Sequence, residues 1–364
     1  MQRVLFGEAQ EKKDAMERFE KKFQEKDPLL ALKAAVDWSI FEDDLRKFRK
    51  SLHTHETGRP PFSPALMFKI LVLQSLYNLS DEATEFIVQD RLSFMRFLDL
   101  KAGDRVPDAR TIWYFRNELS KADMVEYLFS RFNEHLKNLG LLPQKGQIID
   151  ASFVEVPKQR LNAEEKESIA DGKRPEGWSD AKASHKDCDA TWAKKNSESH
   201  FGYKNNIQVD AETKVIARYS ATTASVHDSQ IFEELLETPE AQTADASAEV
   251  EAKKGEPTVV YADKAYRSET NEELLKKHGM KSRVLHRAAR NRPLTETEKS
   301  ENRINSRIRC RVEHVFGMQK KMIGDLTLHA VGYMRIRALI GLRNLCYNMT
   351  RLVFFTKKGV VCQG

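Results

Sequence analysis

Apolar residues recur at helical spacing through the first third of the chain. Residues 28–40 carry an apolar stripe at intervals of three and four, which predicts a helical region, and the proline-rich residues 59–64 end it. Ser63 and Pro64 are the residue types preferred at an N-cap and at the first helical position. A strongly apolar helix is therefore predicted to begin there.

Two further helices complete the N-terminal pattern. Ser80 and Asp81 are predicted to begin one that continues to Leu98, and residues 107–111 introduce another that carries Trp113. Short helices at this spacing are typical of a helix-turn-helix-like DNA-binding module, and equally of an all-helical dimerisation or packing unit. The pattern alone leaves both alternatives open.

After Gly140 the pattern changes from helices to short strands. Apolar runs bounded by turn residues predict the strands, and a polar turn between two of them predicts a hairpin. The predicted strands cover residues 147–154, 203–209, 215–221, 258–263 and 281–285, with one helix opening at His227 and Asp228, another over residues 269–278, and long helices from about residue 301. This alternation predicts an α/β fold.

Two segments lack the apolar content of the rest. Residues 1–27 are charged and helix-prone without an apolar face, so they are expected to form an N-terminal arm. Residues 238–257 are rich in alanine, glutamate and lysine, which predicts a surface insertion.

Composition excludes several classes of protein. The mean hydropathy is −0.59, and the chain has no apolar run near the roughly 18 residues of a membrane-spanning helix. Its N-terminus has no apolar core of a signal peptide, and its four cysteines are widely separated. The sequence therefore predicts a soluble intracellular protein with no disulfide framework and no structural zinc site.

Positive charge is concentrated late in the chain. Residues 258–364 contain 22 lysines and arginines against 9 acidic residues, although the whole chain has a net charge of only +6. Within that stretch, residues 276–311 contain 12 basic and 3 acidic residues. Such density suits a polyanion such as DNA, while the plainer interpretation is a solvated surface.

Three acidic residues are candidates for chemistry. Asp150 and Asp263 each follow apolar residues of a predicted buried strand, and ligand sites gather at strand carboxyl ends in α/β sheets. Glu313 shares a face of a predicted continuous helix with Arg309 and Lys320. Taken singly, each has a structural alternative, namely a turn or cap residue for the aspartates and a surface ion pair for Glu313.

Together the three carboxylates predict metal-assisted chemistry on a phosphodiester. Carboxylate oxygens are the ligands that hard divalent cations prefer. Two such ions about 3.5 to 4 Å apart would activate the attacking oxygen and stabilise the leaving oxygen of an in-line displacement. The neighbouring Arg309 and Lys320 would hold the adjacent phosphate.

The chain resembles the DDE transposases of bacterial insertion sequences, and among them the IS5 family, over nearly its whole length. The matching segments are MFKILVLQ (67–74), LYNLSDE (76–82), VPDARTIW (106–113), IDAS (149–152), FGYKNN (201–206), VHDS (226–229), ADKAY (262–266) and RVEHVFG (311–317). The resemblance implies an RNase H-like core, a mixed sheet flanked by helices, preceded by an N-terminal all-helical domain. It implies a helical DNA-binding or dimerisation domain over residues 28–136, a catalytic domain over 145–330 and a C-terminal helix and tail over 331–364.

The resemblance also implies which residues act. The catalytic and metal-binding Asp, Asp and Glu of the family correspond to Asp150, Asp263 and Glu313, with two Mg²⁺ ions or alternatively Mn²⁺. In the family signature, tyrosine, arginine, glutamate and lysine follow one another at fixed spacing. Arg309, Glu313 and Lys320 match it, but Ser306 stands where the tyrosine is expected.

Further residues are expected to contact DNA or support the site. His227 and Asp228 match a family motif and are interpreted as residues that support the metal ligands or cap a helix. Trp178 and Trp192 are expected to anchor a polar loop or to stack on an unpaired base. The residues expected to bind DNA are Arg309, Lys320, Lys204, Arg307, Arg311, Arg303 and Arg110.

The function implied is that of a transposase that binds the terminal inverted repeats of its element, cleaves DNA there and transfers the 3′-hydroxyl to target DNA. Double-stranded DNA is the expected partner, on a homodimer or higher homo-oligomer without membrane association, in the bacterial cytoplasm at the nucleoid. Two alternatives are a catalytically inactive DNA-binding repressor and a metal-dependent nuclease without strand transfer.

Overall fold

The computed structural model describes most of the chain and divides it into two compact units. The described residues are 26–52, 60–101, 103–143, 145–195, 197–236, 257–289, 292–323 and 327–361. One unit comprises residues 1–74, 79–113 and 352–364, and the other comprises residues 75–78 and 114–351. The predicted arm (1–27) and surface insertion (238–257) lie outside the described residues except at their ends.

The first unit is helical in its described part. Its core is formed by large apolar side chains that are fully buried, among them Phe41, Leu45, Phe68, Ile70 and Phe97. Its helices are α1 Pro28–Ala35, α2 Ser39–Leu52, α3 Pro64–Tyr77, α4 Asp81–Asp90, α5 Leu92–Leu98 and the start of α6 Ala109–Lys121, with the last turn of α3 and the rest of α6 belonging to the second unit. The predicted N-terminal helical region is confirmed.

Local capping explains where several of these helices begin. The predicted helical region over residues 28–40 is in fact two helices, because Val36 has extended backbone and the Asp37 carboxylate accepts a hydrogen bond from the Ser39 amide (3.0 Å) that starts α2. Pro64 begins α3 as expected. The Ser80 hydroxyl accepts a hydrogen bond from the Ala83 amide (3.1 Å), which caps α4.

Six strands form one mixed sheet in the described part of the second unit. They are β1 Gly146–Glu155, β2 Thr191–Lys195, β3 Glu198–Asp210, β4 Ile216–Thr223, β5 Val259–Ala262 and β6 Lys281–Ser282. β1 pairs antiparallel with β3 and parallel with β5, and β6 extends the parallel side. β2 pairs with the first part of β3, and β4 pairs with the rest.

Helices of the second unit cover both faces of this sheet. Ile149 and Val154 lie on opposite faces of β1, and each belongs to a separate buried apolar cluster, the first with Phe232 and the second with Ile340. The α-helices are α7 Met124–Asn138, α8 Ala163–Ala170, α9 Asp180–Ser184, α10 Phe232–Leu235, α11 Glu269–Lys277, α12 Glu296–Arg309, α13 Arg311–Ile323 and α14 Tyr333–Lys357, with 3₁₀ turns at Asp228–Ile231 and Lys264–Tyr266. The residues of α14 from Leu352 onward belong to the first unit. The predicted mixed sheet flanked by helices is confirmed.

Four further sequence-based predictions of elements need correction. The helix predicted to continue from Ser80 to Leu98 is two helices, α4 and α5, because Arg91 between them has extended backbone. β2 lies in a stretch predicted to be loop, β6 is shorter than the predicted strand, and the predicted continuous helix is two helices. α12 ends at Arg309 and α13 begins at Arg311, with Cys310 forming the turn between them. Arg309 and Glu313 therefore lie on two successive helices.

Buried amide side chains join β4 to two helices. Asn348 on α14 binds both the amide and the carbonyl of Ile216 (2.9 and 2.8 Å), and Asn133 on α7 binds the carbonyls of Ile216 and Ala217. The Asn348 side chain also donates to the Asn133 side chain (2.9 Å). α7 therefore packs with the sheet, while the expected domain boundary at residue 136 stays a prediction.

A second amide cluster lies next to β3. The side chains of Asn205 and Asn344 form two reciprocal hydrogen bonds (2.9 and 3.0 Å), and Gln319 donates to Asn344 (2.8 Å). All three residues are buried. Since buried amides are costly without partners, these bonds specify how α13 and α14 meet the sheet.

None of the helices in the described part of the chain is both long enough and apolar enough to cross a membrane.

Candidate active site

Strand pairing brings Asp150 and Asp263 together. Ile149 on β1 pairs with Ala262 on β5 in parallel register, so the next residue of each strand is one of the two aspartates. β5 ends there, whereas β1 continues to Glu155, which corrects the expectation that Asp150 ends its strand. Asp263 precedes a 3₁₀ turn, and its side chain makes no capping hydrogen bond within the described residues.

The Asp150 carboxylate lies in an electrostatically unusual position. Burial raises the pKa of Asp150 above its usual range, and the nearby negative charge of Asp263 adds to the increase. A hydrogen bond from the Ala151 amide (2.9 Å) and the positive charges of Arg309 and Lys195 lower that pKa in part. A buried carboxylate beside a second carboxylate favours the arrival of a cation, because a cation would offset both effects.

Arg309 connects Asp150 to Glu313. Its guanidinium donates to Oδ2 of Asp150 (2.9 Å) and to Oε1 of Glu313 (3.1 Å). The side chains of Asp150 and Arg309 are 17% and 20% exposed, whereas that of Glu313 is 63% exposed. The ion pair with Glu313 has the i, i+4 spacing of neighbours on one helix face, and it is kept across the turn at Cys310.

The donor set suits a hard divalent cation, although the three carboxylates are not yet grouped around one point. Asp150 and Asp263 are oxygen donors on adjoining strands, which is the chemistry that Mg²⁺ and Mn²⁺ prefer. Glu313 joins them only through Arg309. Within the residues that the structure describes, no three histidine, cysteine or acidic side chains lie together in a group that could hold a metal ion.

A cavity of about 410 Å³ is lined by Ala151 and Ser152, the residues that follow Asp150 on β1. Its wall combines a half-exposed aromatic ring, Trp192, with the lysines at 194 and 195 on β2. The other lining residues are Phe153, Ala193, Lys204, Ala224, Ser225, Val226, His227, Asp228 and Ala265. An open cavity with positive charge and an aromatic surface next to a carboxylate pair can accept a nucleic-acid segment.

Lys204 has an internal partner. This lysine is buried, and its ammonium group donates to the Asp228 carboxylate (2.6 Å) and to the carbonyl of Val226 (2.7 Å). The neutralised pair therefore forms part of the cavity wall. In this structure Lys204 does not present a free charge to a phosphate, and its predicted contact with DNA stays a prediction.

His227 and Asp228 lie at the same wall. The His227 ring accepts a hydrogen bond from the Ser229 amide (3.3 Å) and contacts the Ser229 hydroxyl (2.7 Å), so it caps the 3₁₀ turn Asp228–Ile231. Helix capping was one of the two roles expected for it.

The other basic residues expected to contact DNA lie at the surface. Arg303 and Arg307 on α12, Lys320 on α13 and Arg110 in the first unit are exposed. Arg311 is also exposed, but its guanidinium donates to the carbonyl of Ala211 (2.6 Å) and so ties α13 to the turn after β3. Their contacts with DNA stay predictions.

The two tryptophans between β1 and β3 differ. Trp178 is buried, and its indole donates to the Glu165 carboxylate (2.7 Å), so it anchors its own loop. Trp192 is 50% exposed, packs on Phe201 with ring centroids 5.0 Å apart, and lines the cavity. It lies on strand β2 and not in the predicted loop.

Sequence reasoning missed three residues near the site. Lys194 and Lys195 were hidden because β2 was interpreted as loop. Tyr266 was quoted only as part of a motif, although it follows Asp263 by three residues. Its ring is fully buried. Its position three residues after Asp263 is the sequence signal that could have identified it.

Comparison with known proteins decides the family. Residues 142–349, more than half of the chain, match the family described as "Transposase DDE domain". The chain belongs to the DDE transposases. Residues 17–118 match the family described as "Transposase domain (DUF772)".

A curated relative agrees with this family. The chain is 30% identical over 245 residues to a protein of Neisseria meningitidis serogroup B described as "Transposase for insertion sequence element IS1106", covering 65% of this chain and 76% of that protein. Among solved structures, the piggyBac transposase synaptic complex with hairpin DNA is similar with a TM-score of 0.46 and 14% identity, over 92% of this chain and 76% of that one.

The predicted enzyme class and fold are confirmed. This DDE transposase of an insertion sequence has the RNase H-like arrangement, in which three antiparallel strands continue into two parallel ones. The family acts on DNA with divalent metal ions. Membership of the IS5 family stays a prediction.

Proposed function

We propose that this transposase binds the terminal inverted repeats of its own element, cleaves DNA at the element ends and transfers the freed 3′-hydroxyl to target DNA. One observation carries the proposal. Asp150 and Asp263 follow paired residues of adjoining parallel strands, and Arg309 joins Asp150 to Glu313. Distant parts of the sequence thus place two carboxylates on adjoining strands and link the third to them through Arg309.

Asp150, Asp263 and Glu313 are the proposed ligands of two Mg²⁺ ions, with Mn²⁺ as an alternative. When bound, such ions lower the pKa of the attacking oxygen and offset charge on the leaving oxygen. The protein itself supplies the three carboxylates, and Glu313 must turn toward the aspartates to complete them. Its 63% exposed side chain on the first turn of α13 leaves room for that rotation.

Two phosphoryl transfers follow from this assignment. In the first, a water oxygen attacks phosphorus at the element end, the bond between phosphorus and the 3′ oxygen breaks, and the element keeps a 3′-hydroxyl. In the second, that hydroxyl attacks a target phosphodiester and displaces another 3′ oxygen. Arg309, released from Asp150 and Glu313 when cations bind, would contact the phosphate.

The surrounding surface supports binding of duplex DNA. Lys194 and Lys195 carry positive charge at the cavity, and Arg303, Arg307 and Lys320 are exposed on the two helices that precede and contain Glu313. The helical first unit, with Arg110 exposed, would recognise the terminal repeat. Joining two ends requires two active sites, so a homodimer or higher oligomer acting at the bacterial nucleoid is proposed.

The test uses purified protein, a labelled duplex carrying the element end, a target plasmid and Mg²⁺ or Mn²⁺. Metal-dependent nicked and joined products are expected from the wild type and neither from Glu313→Gln, with equal binding of the duplex. Nicking without joining would identify a nuclease. Binding without either product, under both ions, would favour a DNA-binding repressor and overturn the proposal.

A further inference from the structure

The fully buried Tyr266 carries a polar group that the fold itself does not use. The residue is 1% exposed, and its ring packs against Phe232 with centroids 5.9 Å apart inside an apolar cluster that also contains Ile149 and Ala262. A phenylalanine would fill this place equally well. The hydroxyl is buried, and it has no hydrogen-bond partner among the residues that the structure describes.

The turn that follows Asp263 also holds the backbone of Tyr266. Tyr266 ends the 3₁₀ turn that Asp263 begins, and its amide donates to the Asp263 carbonyl (3.0 Å). Its own carbonyl accepts a hydrogen bond from the buried Asn271 side chain (2.8 Å). The backbone is therefore held at both ends, and the ring has little freedom to move the hydroxyl elsewhere.

The charges that act on the hydroxyl are those of the candidate active site. Burial raises the pKa of Tyr266 well above its usual range, and the carboxylates of Asp228, Asp150 and Asp263 increase it further. The group is thus a protonated donor in an apolar cluster, with no acceptor bound among the described residues. Buried donors are usually hydrogen-bonded, and an acceptor that becomes available in the loaded site would satisfy this one.

We propose that Tyr266 is a positioning residue of the catalytic centre, whose hydroxyl donates a hydrogen bond to an oxygen of the Asp150 and Asp263 carboxylate pair once that pair holds its cations. The inference rests on the proposed function. Fixing one carboxylate oxygen leaves the others directed at the metal, as outer hydrogen-bond partners of metal ligands commonly do. The hydroxyl touches neither DNA nor the reacting phosphorus.

Tyr266→Phe removes this oxygen alone and tests the proposal. The metal-free variant is expected to unfold at a temperature equal to or above that of the wild type, because an unpartnered polar group is lost. Mn²⁺ affinity, measured from the paramagnetic resonance signal of free Mn²⁺, is expected to fall about 10-fold to 100-fold. Single-turnover cleavage at saturating duplex should slow by a similar factor, with the dissociation constant for the duplex unchanged.

Tyr347→Phe is the matched control. Tyr347 is also fully buried, but its hydroxyl donates to the Lys214 carbonyl (2.9 Å). Its removal is expected to lower the unfolding temperature and to leave Mn²⁺ affinity and the cleavage rate unchanged. The two variants thus produce opposite patterns, which a general loss of packing could not imitate.

The outcomes separate this inference from the function on which it rests. If the wild type binds Mn²⁺ and cuts DNA while Tyr266→Phe matches it within about twofold in both, the positioning role is wrong and the proposed function stands. If the wild type neither binds Mn²⁺ more tightly than Asp150→Asn nor cuts the duplex, both proposals fail.

Discussion

Two groups of polar side chains in the second unit differ in how completely they are hydrogen-bonded. Beside β4, the amides of Asn133 and Asn348 satisfy one another and the strand's backbone. Beside β5, the Tyr266 hydroxyl has no partner in the described residues, and Asp150 is a buried carboxylate next to a second carboxylate. Mutual pairing of amides holds the strand to its helices, whereas an unpartnered hydroxyl and a carboxylate with a raised pKa are typical of groups that a ligand can use.

The largest effect is expected from Asp150→Asn. Removing the charge should abolish metal-dependent cleavage, by a factor on the order of 10³ or more, while the folded protein stays at least as stable because a buried charge is lost. Single-turnover cleavage and thermal unfolding measure the two quantities. Glu155→Gln, on the same strand but hydrogen-bonded to His200, is the control and should still cut. A strong loss of stability in Asp150→Asn would mean that Asp150 holds the fold together, as the amides of Asn133 and Asn348 do.

The reverse pattern is expected from Asn348→Ala. The change leaves the Ile216 amide and carbonyl and the Asn133 side chain short of partners, so unfolding free energy should fall by about 2 to 4 kcal/mol. Cleavage per folded molecule should not change. Denaturant unfolding measures this loss, with Met334→Ala as the control. Met334 is exposed on the same helix, and its replacement is expected to lower the unfolding free energy by less than about 0.5 kcal/mol. Equal losses in both variants would contradict the structural role of the amides.

Arg309→Gln tests whether Arg309 competes with cations. Because the guanidinium bonds both Asp150 and Glu313, its removal should tighten Mn²⁺ binding to the DNA-free protein, by about fivefold. Cleavage should nevertheless become slower, since a phosphate contact is lost. The variant Arg307→Gln, on the same helix and exposed, is the control for charge alone. Weaker Mn²⁺ binding in Arg309→Gln would mean that Arg309 organises the carboxylates instead.

The smallest effect concerns the loop held by Glu165, whose carboxylate accepts hydrogen bonds from Trp178 and Lys182. These bonds lower the pKa of Glu165 to about 2. A carboxylate whose pKa is lower in the folded than in the unfolded protein stabilises the fold at pH values above the unfolded pKa of about 4.3. This stabilisation is lost as the pH falls toward 2. Protease protection of the loop should therefore decline in acid in the wild type and change less in Glu165→Gln. If the wild type and Glu165→Gln lose protease protection equally in acid, the hydrogen bonds of Glu165 are not the cause.

Much of the fold could be predicted because its signals are local. Pro64 and Ser80 mark the starts of helices by residue type alone, and the apolar runs of β1 and β5 predict that these strands exist. β2 could not be predicted, because Thr191–Lys195 has a single large aromatic residue and is stabilised by pairing with β3, a contact between chain segments. The break at Cys310 was also hidden, since residues 302–316 carry a helical pattern without proline.

The candidate site shows the same division. Asp150, Asp263 and Glu313 could be proposed as site residues from their residue types and their motifs. The bridge through Arg309, the burial of Lys204 against Asp228 and the unpartnered Tyr266 hydroxyl depend on distances that no single segment encodes.

The distance along the chain between the parts of the site affects when activity can begin. Asp150 and Arg309 are separated by 159 positions, and Asp263 lies between them. A ribosome adding about 5 to 20 residues per second needs roughly 8 to 32 s to cover that interval. On the proposed assignment, a growing or prematurely terminated chain that stops before α13 holds two carboxylates but lacks the third. Such a fragment would be unable to cut the chromosome from which it is being expressed.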